Sequence, residues 1–258
     1  MFPYERHEKI LSILSQNDFV SVLDLRKELA CSMATLQRDL THLETEKRIF
    51  RTHGGVTAVD NPLVNNRRAL YKMRQKMRLA EKKAIGRAAQ RLIEAGDIVF
   101  ITHGTTTSEI AAQLAKNIPL TVVTDGLDIV ARLQDHPKAR VILTGGQVNY
   151  DMHYVASVAD EQFLRSLNYT KVFMGAGGLS VENGVSFYEM PYAEYFKMIV
   201  RPEHHLIVAV DHTKVGRNAL ARFVDMSRVN TVVTDKKTDR SFITTCRKQG
   251  VNVVVAET

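Results

Sequence analysis

The chain has few cysteines and no long apolar run. Its 258 residues include two cysteines, Cys31 and Cys246, which stand far apart and outside any CxxC or His/Cys cluster. This scarcity argues against a disulfide framework and a metal site, and it indicates a reducing compartment. No stretch approaches the roughly 18 consecutive apolar residues of a membrane span. The amino terminus is charged around Ile10 and lacks an unbroken apolar signal segment. We therefore expect a cytoplasmic protein without a membrane contact.

The net charge of +7 is concentrated in one part of the sequence. Lysine and arginine outnumber aspartate and glutamate by ten to two in residues 58–91, whereas residues 1–57 and 92–258 are nearly balanced. The length suits two domains, so we predict one domain over 1–57, a basic linker and helix over 58–91, and a second domain over 92–258. A basic segment adds salt-dependent affinity for nucleic acid, but such runs are also often solvated faces or face acidic groups of a partner subunit.

Two short helices joined by a tight turn are predicted in residues 21–46. Apolar residues recur at helical spacing in 22–29 behind Ser21, and again in 36–43 behind Ser32. Each serine is placed to cap a helix, because its hydroxyl can accept a hydrogen bond from a free backbone amide of the first turn. This arrangement is typical of the helix-turn-helix motif.

The polar face of the second helix indicates DNA binding. Its residues are small or hydrogen-bonding, so they allow close approach to a duplex, and Gln37 and Arg38 carry donors for base edges or phosphates. The β-prone, basic residues 47–56 end in a glycine pair and predict a β wing beside this helix. The alternative is a helical hairpin that binds another protein. The candidate DNA contacts are Ser21, Ser32, Ala34, Thr35, Gln37, Arg38, Thr41, Arg48, Arg51 and His53.

Short apolar β-prone runs alternate with helical patterns after Asp97. The runs are 98–101, 120–123, 141–143, 171–174, 206–210, 231–233 and 251–255. Helical patterns lie between them at 108–116, 127–134, 159–167, 192–200 and 241–248, and one more covers about 67–95. Nearly continuous apolar strands alternating with helices predict a doubly wound α/β domain, in which helices cover both faces of a mainly parallel sheet.

Glycine, threonine and charged residues follow the predicted strands. Ligands of open α/β sheets bind at the carboxyl ends of the strands, and small residues leading into helix amino termini form backbone cradles for anions. The predicted ligand is a small, hydroxyl-rich anion such as a phosphorylated sugar, although each motif is also common as a plain turn or helix cap. The candidate contacts are His103, Gly104, Thr105, Thr106, Asp125, Gly145, Gly146, Gly175, Gly177, Asp211, Lys214 and Arg217.

The chain resembles the DeoR family of bacterial regulators of sugar metabolism. The resemblance is carried by Glu5-Arg6-His7, by the run from Ser32 to Leu40, and by His53-Gly54-Gly55, and it continues through the glycine motifs of the second half. It implies an N-terminal winged helix-turn-helix and a C-terminal effector domain similar in fold to ribose-5-phosphate isomerase and glucosamine-6-phosphate deaminase.

The sequence departs from the family pattern at three positions. Gln37 stands where the family usually has a basic residue, so the operator sequence should differ if this position touches bases. Thr102 stands where many relatives have Asp, and Phe196, with Lys197 beside it, stands where a helix usually supplies a lysine. The last two departures concern the identity of the effector and the strength of its binding.

An isomerase-type enzyme is the alternative from a different class. Isomerisation needs a carboxylate base and a group that stabilises an oxyanion. Residues 175–178, where the related isomerases present acidic side chains, contain none, so we expect no catalytic residue and no cofactor. We predict a homo-oligomeric, sequence-specific transcriptional repressor of a carbohydrate-metabolism operon, released from double-stranded operator DNA by a phosphorylated sugar. An activator of the same architecture, and a regulator with an unphosphorylated or protein effector, are alternatives.

Overall fold

The fold is described by a computed structural model in two units, Met1–Lys72 and Met73–Thr258. The described residues are 2–16, 20–46, 48–52, 55–58, 67–156, 161–188 and 190–257. Within these ranges no helix is both long and apolar enough to cross a membrane.

The first unit packs three helices against a three-stranded sheet. The elements are α1 (Pro3–Gln16), β1 (Val20–Ser21), α2 (Val22–Leu29), α3 (Met33–Thr45), β2 (Ile49–Thr52) and β3 (Gly55–Ala58). Strand β3 pairs antiparallel with both β1 and β2. Apolar residues of all three helices and of β2 and β3 form one buried core, because helical spacing places them on a single side of each helix. The predicted helix-turn-helix and wing are confirmed.

The second unit alternates strands and helices. Its helices are α4 (Arg67–Lys76), α5 (Leu79–Ala89), α6 (Thr105–Ala112), α7 (Leu127–Leu133), α8 (Glu161–Ser166), α9 (Met190–Ile199) and α10 (Arg240–Lys248). Helix α4 begins before the division between the units. Two 3-10 turns cover Gln90–Leu92 and Met226–Arg228. Its strands are β4 (Ile98–Ile101), β5 (Leu120–Thr124), β6 (Ala139–Leu143), β7 (Gln147–Asn149), β8 (Tyr154–Ala156), β9 (Lys171–Met174), β10 (Gly178–Ser180), β11 (Gly184–Phe187), β12 (His205–Ala209), β13 (Ala221–Val224), β14 (Thr231–Asp235) and β15 (Asn252–Ala256).

A seven-stranded parallel sheet forms the centre of this unit. Its strand order is β15-β14-β12-β9-β4-β5-β6, and every neighbouring pair is parallel. All seven apolar runs predicted as strands belong to it, and buried clusters lie on both of its faces. From β4 the chain continues outward through β5 and β6, and it then returns to β9 on the other side of β4. The strand order therefore reverses between β4 and β9, where ligands of such folds bind.

Three features of the second unit differ from the sequence prediction. The predicted helix over 67–95 is wrong in its middle, because Arg78 has a left-handed φ of +51° that a right-handed helix cannot contain. It separates α4 from α5. The antiparallel sheet β10-β11-β13 and the hairpin β7-β8 were not predicted. Their strands have only three or four residues, which is too short for a clear alternating pattern.

Candidate nucleic-acid interface and effector site

Helix α3 begins at a side-chain cap and buries one apolar stripe. Ser32 is extended (φ −69°, ψ 154°), and its Oγ accepts a hydrogen bond of 3.1 Å from the backbone N–H of Thr35. Leu36, Leu40 and Leu43 are fully buried. Asp39 lies on the same side and binds Arg6 and His7 of α1. The cap, the apolar stripe and this ion pair fix the helix, so its opposite polar face points outward.

The outward face of α3 carries the predicted DNA contacts and meets the wing. Ala34, Arg38 and Thr41 are exposed, and Thr35 and Gln37 are partly exposed. From β2, Arg51 donates a hydrogen bond of 3.2 Å from Nη1 to Oγ1 of Thr41 and another from Nη2 to Oε1 of Gln37. The structure therefore brings Gln37, Thr41 and Arg51 together in one hydrogen-bonded group.

The other predicted contacts of this unit lie around that group or outside the described part. Arg48 is exposed and approaches Oε1 of Glu8 to 3.3 Å with both terminal nitrogens. The backbone of Ser21 pairs with Gly55 in the small sheet, whereas its side chain, and all of His53, lie outside the described residues.

A histidine and a buried aspartate meet at the carboxyl ends of β4 and β5. Asp125 is fully buried, and its carboxylate accepts hydrogen bonds of 2.6 Å from the backbone N–H and from Nδ1 of His103. The imidazole stacks on Tyr154 (ring centroids 4.5 Å apart) and Phe196 (5.8 Å). Asp125 therefore fixes the orientation of the ring and places the hydrogen on Nδ1.

Two further groups line the carboxyl edge near this pair. Gly104 adopts a φ of +143°, and α6 begins directly after it with Thr105 and Thr106, both partly exposed. The hydroxyl of Thr102 is buried and makes no hydrogen bond to any residue that the structure describes. Such a hydroxyl gains from a ligand that supplies the missing partner.

In the helix where the family resemblance implies a lysine, Phe196 is buried, and Lys197 is exposed and paired with Glu194.

Five cationic side chains share the region around the Asp211 carboxylate. We call them the cation cluster: Arg74 in α4, Arg78 at the helix break, Lys82 in α5, and Lys214 and Arg217 in the loop after β12. Nε of Arg78 lies 3.8 Å from Oδ1 of Asp211. Lys82 and Lys214 interact electrostatically with this carboxylate, with each other and with Arg74, and Lys82 also interacts with Glu109. Positive charge is therefore in excess.

The two lysines of the cation cluster have lowered pKa values. Burial is the main cause and lowers the pKa of both Lys82 and Lys214 to about 8. The neighbouring cations contribute to this lowering of the pKa, whereas Asp211 opposes it. Lys82 is 5% exposed, and its Nζ donates to the backbone oxygen of Arg74. Lys214 lies over the ring of Tyr188, 5.7 Å from the centroid. An anion entering the cluster would stabilise both ammonium groups.

The glycine loop after β9 packs closely against the cation cluster. A Cβ at Gly177 would lie 2.5 Å from the ring of Tyr188, and one at Gly178 would collide with the backbone oxygen of Arg217. Glycine is therefore required here for close approach of the backbone. Gly175 precedes this loop at the end of β9. Gly145 (φ +78°) and Gly146 (φ +128°) instead follow the edge strand β6, which β4 and β5 separate from β9.

Sequence reasoning missed several residues of this edge. From the sequence, no role beyond membership of a basic segment was assigned to Arg74, Arg78 and Lys82. Lys82 precedes buried Ile85 and Ala89 by three and seven residues, so it shares their face of α5. A second histidine pair was also missed. Asp235, fully buried at the end of β14, accepts hydrogen bonds from the backbone N–H of His212 (2.8 Å) and from its Nδ1 (3.0 Å). No spacing rule would have paired residues 23 positions apart.

Comparison with known proteins assigns both units to one family. Residues 6–61 match the DeoR-like helix-turn-helix domain, and residues 77–236 match the DeoR C-terminal sensor domain. The regulator GlpR of Haloferax volcanii is 30% identical over 98% of both chains. The glycerol-3-phosphate regulon repressor of Escherichia coli is 28% identical over 90% of both chains. Ribose 5-phosphate isomerase A of Methanocaldococcus jannaschii superposes with a TM-score of 0.38 at 12% identity, covering 52% of this chain and 53% of that chain.

The two family models cover residues 6–61 and 77–236, and the match to GlpR covers 98% of the chain. Both domains are those of transcriptional regulators and not of an enzyme, as the sequence predicted. The helix-turn-helix binds DNA, and the sensor domain binds a small-molecule effector. The chain is a member of the DeoR family of transcriptional regulators.

Proposed function

We propose that this protein is a cytoplasmic homo-oligomer that represses a carbohydrate-metabolism operon and leaves its operator when a phosphorylated sugar binds the second unit. The cation cluster carries the effector part of this proposal. Three carboxylates, Asp211, Glu109 and Glu81, interact with the five cationic side chains there, so positive charge is in excess and a bound anion would be stabilised. A phosphomonoester carries a charge of about −1.5 to −2 and three strong acceptor oxygens near pH 7.

The neighbouring groups at the sheet edge suit the sugar part of such a ligand. The His103–Asp125 pair and the buried hydroxyl of Thr102 follow β4 and β5, beside the point where the strand order reverses. Sugar hydroxyls both donate and accept hydrogen bonds, so one of them can supply the partner that the Thr102 hydroxyl lacks among the described residues. One similar protein is named for a regulon of glycerol 3-phosphate, which is a phosphorylated polyol.

The DNA-binding part rests on the outward face of α3. Small residues at positions 34 and 35 allow the helix to approach base edges, while Gln37 and Arg38 supply donors. A single helix of this kind reads only a few base pairs, so two copies on half-sites about one helical turn apart are expected. Effector and operator then weaken each other's binding by the same factor, because the coupling between two sites is reciprocal.

The direct test measures operator release. Promoter fragments from the protein's own genome are labelled, the bound fragment is identified by fluorescence anisotropy, and sugar phosphates are then added, each with its unphosphorylated sugar as the matched control. We expect one phosphorylated compound to weaken operator binding by about tenfold or more, while its unphosphorylated form has no effect. Release by the unphosphorylated sugar alone would contradict the assignment of the effector. The absence of any preferred promoter fragment would contradict the whole proposal.

A further inference from the structure

The last turn of α4 is held to the sensor fold by two hydrogen bonds. Nε2 of Gln75 donates to Oδ2 of Asp128 in α7 at 2.8 Å, and Nζ of Lys82 donates to the backbone oxygen of Arg74. The second bond places an ammonium group on a carbonyl near the carboxyl end of α4, where backbone oxygens lack helical partners and the helix dipole favours positive charge. Lys82 therefore caps α4 from within α5.

The same lysine belongs to the cation cluster. Its Nζ group is buried, and it interacts with Asp211, Arg78 and Lys214 as well as with Arg74. One side chain thus joins the anion-binding region to the end of a helix. Arg74 strengthens this link, because its backbone oxygen binds Lys82 while its charged side chain interacts with Lys82 and Lys214.

We propose that anion binding in the cation cluster fixes the last turn of α4 to the carboxyl edge of the sheet, with Lys82 as the residue that couples the two. The inference rests on the proposed function, since it takes the phosphate of the effector as the anion. It concerns the part of α4 that lies in the second unit, which includes Arg74 of the cluster and ends at Lys76.

The charges of the cation cluster determine whether anion binding orders or loosens the end of α4. Without an anion, Arg74, Arg78, Lys82 and Lys214 repel one another, while Asp211 attracts Arg78, Lys82 and Lys214, Glu109 attracts Lys82 and Glu81 attracts Arg78. The four cations outnumber these three carboxylates, and the remaining repulsion opposes close packing of α4 against the sheet edge. A bound dianion reverses the sign of these interactions, because it attracts Arg74 of α4 and Lys214 of the β12 loop at once. It also keeps Lys82 protonated, so the cap on Arg74 persists. The end of α4 therefore becomes more ordered on binding.

Hydrogen exchange of the full-length protein tests this coupling, with inorganic phosphate as the probe and chloride at the same ionic strength as the reference. Amide exchange in residues 73–77 should slow by about threefold or more when phosphate is saturating. Lys82→Met removes the ammonium group and keeps the apolar stem. Because burial disfavours this charge, the variant is expected to fold. Lys83→Met, which alters an exposed neighbour in the same helix, is the matched control.

The variants separate binding from coupling. Lys83→Met should respond as the unmodified protein does, whereas Lys82→Met should still bind phosphate at higher concentration through Lys214 and Arg217 but lose the slowing in residues 73–77. Equal slowing in phosphate-saturated Lys82→Met would overturn the role of Lys82. Unchanged exchange in the phosphate-bound unmodified protein, or no binding of phosphate at all, would overturn the inference as a whole. If phosphate slows amide exchange in residues 73–77 but no sugar phosphate releases the operator, the coupling stands and the proposed function is rejected.

Discussion

The guanidinium of Arg6 in α1 holds both carboxylate oxygens of Asp39 in α3. Its Nε donates to Oδ2 at 2.8 Å and its Nη2 to Oδ1 at 3.0 Å. His7 contacts the same Oδ1 at 3.0 Å through Nε2. This paired geometry is the strongest form of arginine–carboxylate bond, and it lies on the side of α3 opposite the predicted DNA contacts. It therefore helps to set the orientation of α3 within the first unit.

Breaking this pair is expected to destabilise the first unit. Arg6→Met leaves the buried Asp39 carboxylate without its main partner and should lower the free energy of unfolding by about 3 kcal/mol. In the double variant Arg6→Met/Asp39→Leu the loss should be smaller than the sum of the two single losses, because no buried charge remains unpaired. Hydrogen exchange of the α3 amides reports the stability of this unit within the full chain. Additive losses would show that the two side chains act independently.

Acid should remove the contribution of the Asp39 carboxylate to the stability of the fold. Burial acts to raise its pKa, but the hydrogen bonds and charges of Arg6 and His7 outweigh burial and hold the pKa below the ordinary value of 3.8. A carboxyl whose folded pKa is lowered stabilises the fold above its unfolded pKa and loses that contribution as the pH falls through the folded value. The difference in stability between the unmodified protein and Asp39→Asn should therefore shrink as the pH falls below about 4. A constant difference down to pH 3 would contradict this origin.

The hydrogen bond from Arg51 to Gln37 leads to a prediction about sequence preference. Arg51 holds the carboxamide oxygen of Gln37. Gln37→Ala and Arg51→Met should therefore reduce the preference for the operator over random duplex to a similar extent. We expect each variant to lose about 1–3 kcal/mol of binding free energy difference between the two duplexes. The double variant should lose no more than either single variant, since both changes remove the same ordered contact. Arg38→Ala is the contrast. It should weaken binding to all duplexes alike and lower the salt dependence by about one charge, both measured by anisotropy at several salt concentrations.

The main features of the fold could be predicted because each element follows its own local pattern. Ser32 and the leucines of α3 carry a cap and a helical stripe, and the apolar runs of the parallel strands are continuous because both faces are buried. The break at Arg78 could not be predicted. It needs a left-handed non-glycine residue, and what holds it is the tertiary contact of Arg78 with Asp211, 133 positions further along the chain.

Only some of the cationic side chains of the candidate effector site could be predicted from the sequence. Lys214 and Arg217 directly follow a predicted strand, so the rule for open sheets placed them at the edge. Lys82 and Arg74 precede the first strand of the sheet, and only the packing of α5 brings them to the same carboxylate. The pairing of His212 with Asp235 likewise depends on β12 and β14 being neighbours. Strand order decides such contacts, and sequence periodicity does not report it.

Anion binding in the second unit should depend on pH through Lys82 and Lys214. Their pKa values are lowered to about 8 by burial and by the neighbouring cations, against the attraction of Asp211 and, for Lys82, of Glu109. Each lysine binds an anion in its ammonium form, so affinity should fall as the pH rises through 8, by roughly tenfold per lysine between pH 7 and 9. Sulfate is the suitable probe because its own charge stays at about −2 throughout this range.

Calorimetry can count the protons that accompany this binding. At pH 8 about half of each lysine is neutral, so sulfate binding should take up protons from the buffer, close to one in total for the two side chains. Titrations in two buffers of different ionisation enthalpy measure this uptake directly. Lys82→Met should halve it, and Lys83→Met, which changes an exposed lysine of the same helix, should leave it unchanged. Sulfate binding without proton uptake at pH 8 would mean that the anion does not engage these two lysines.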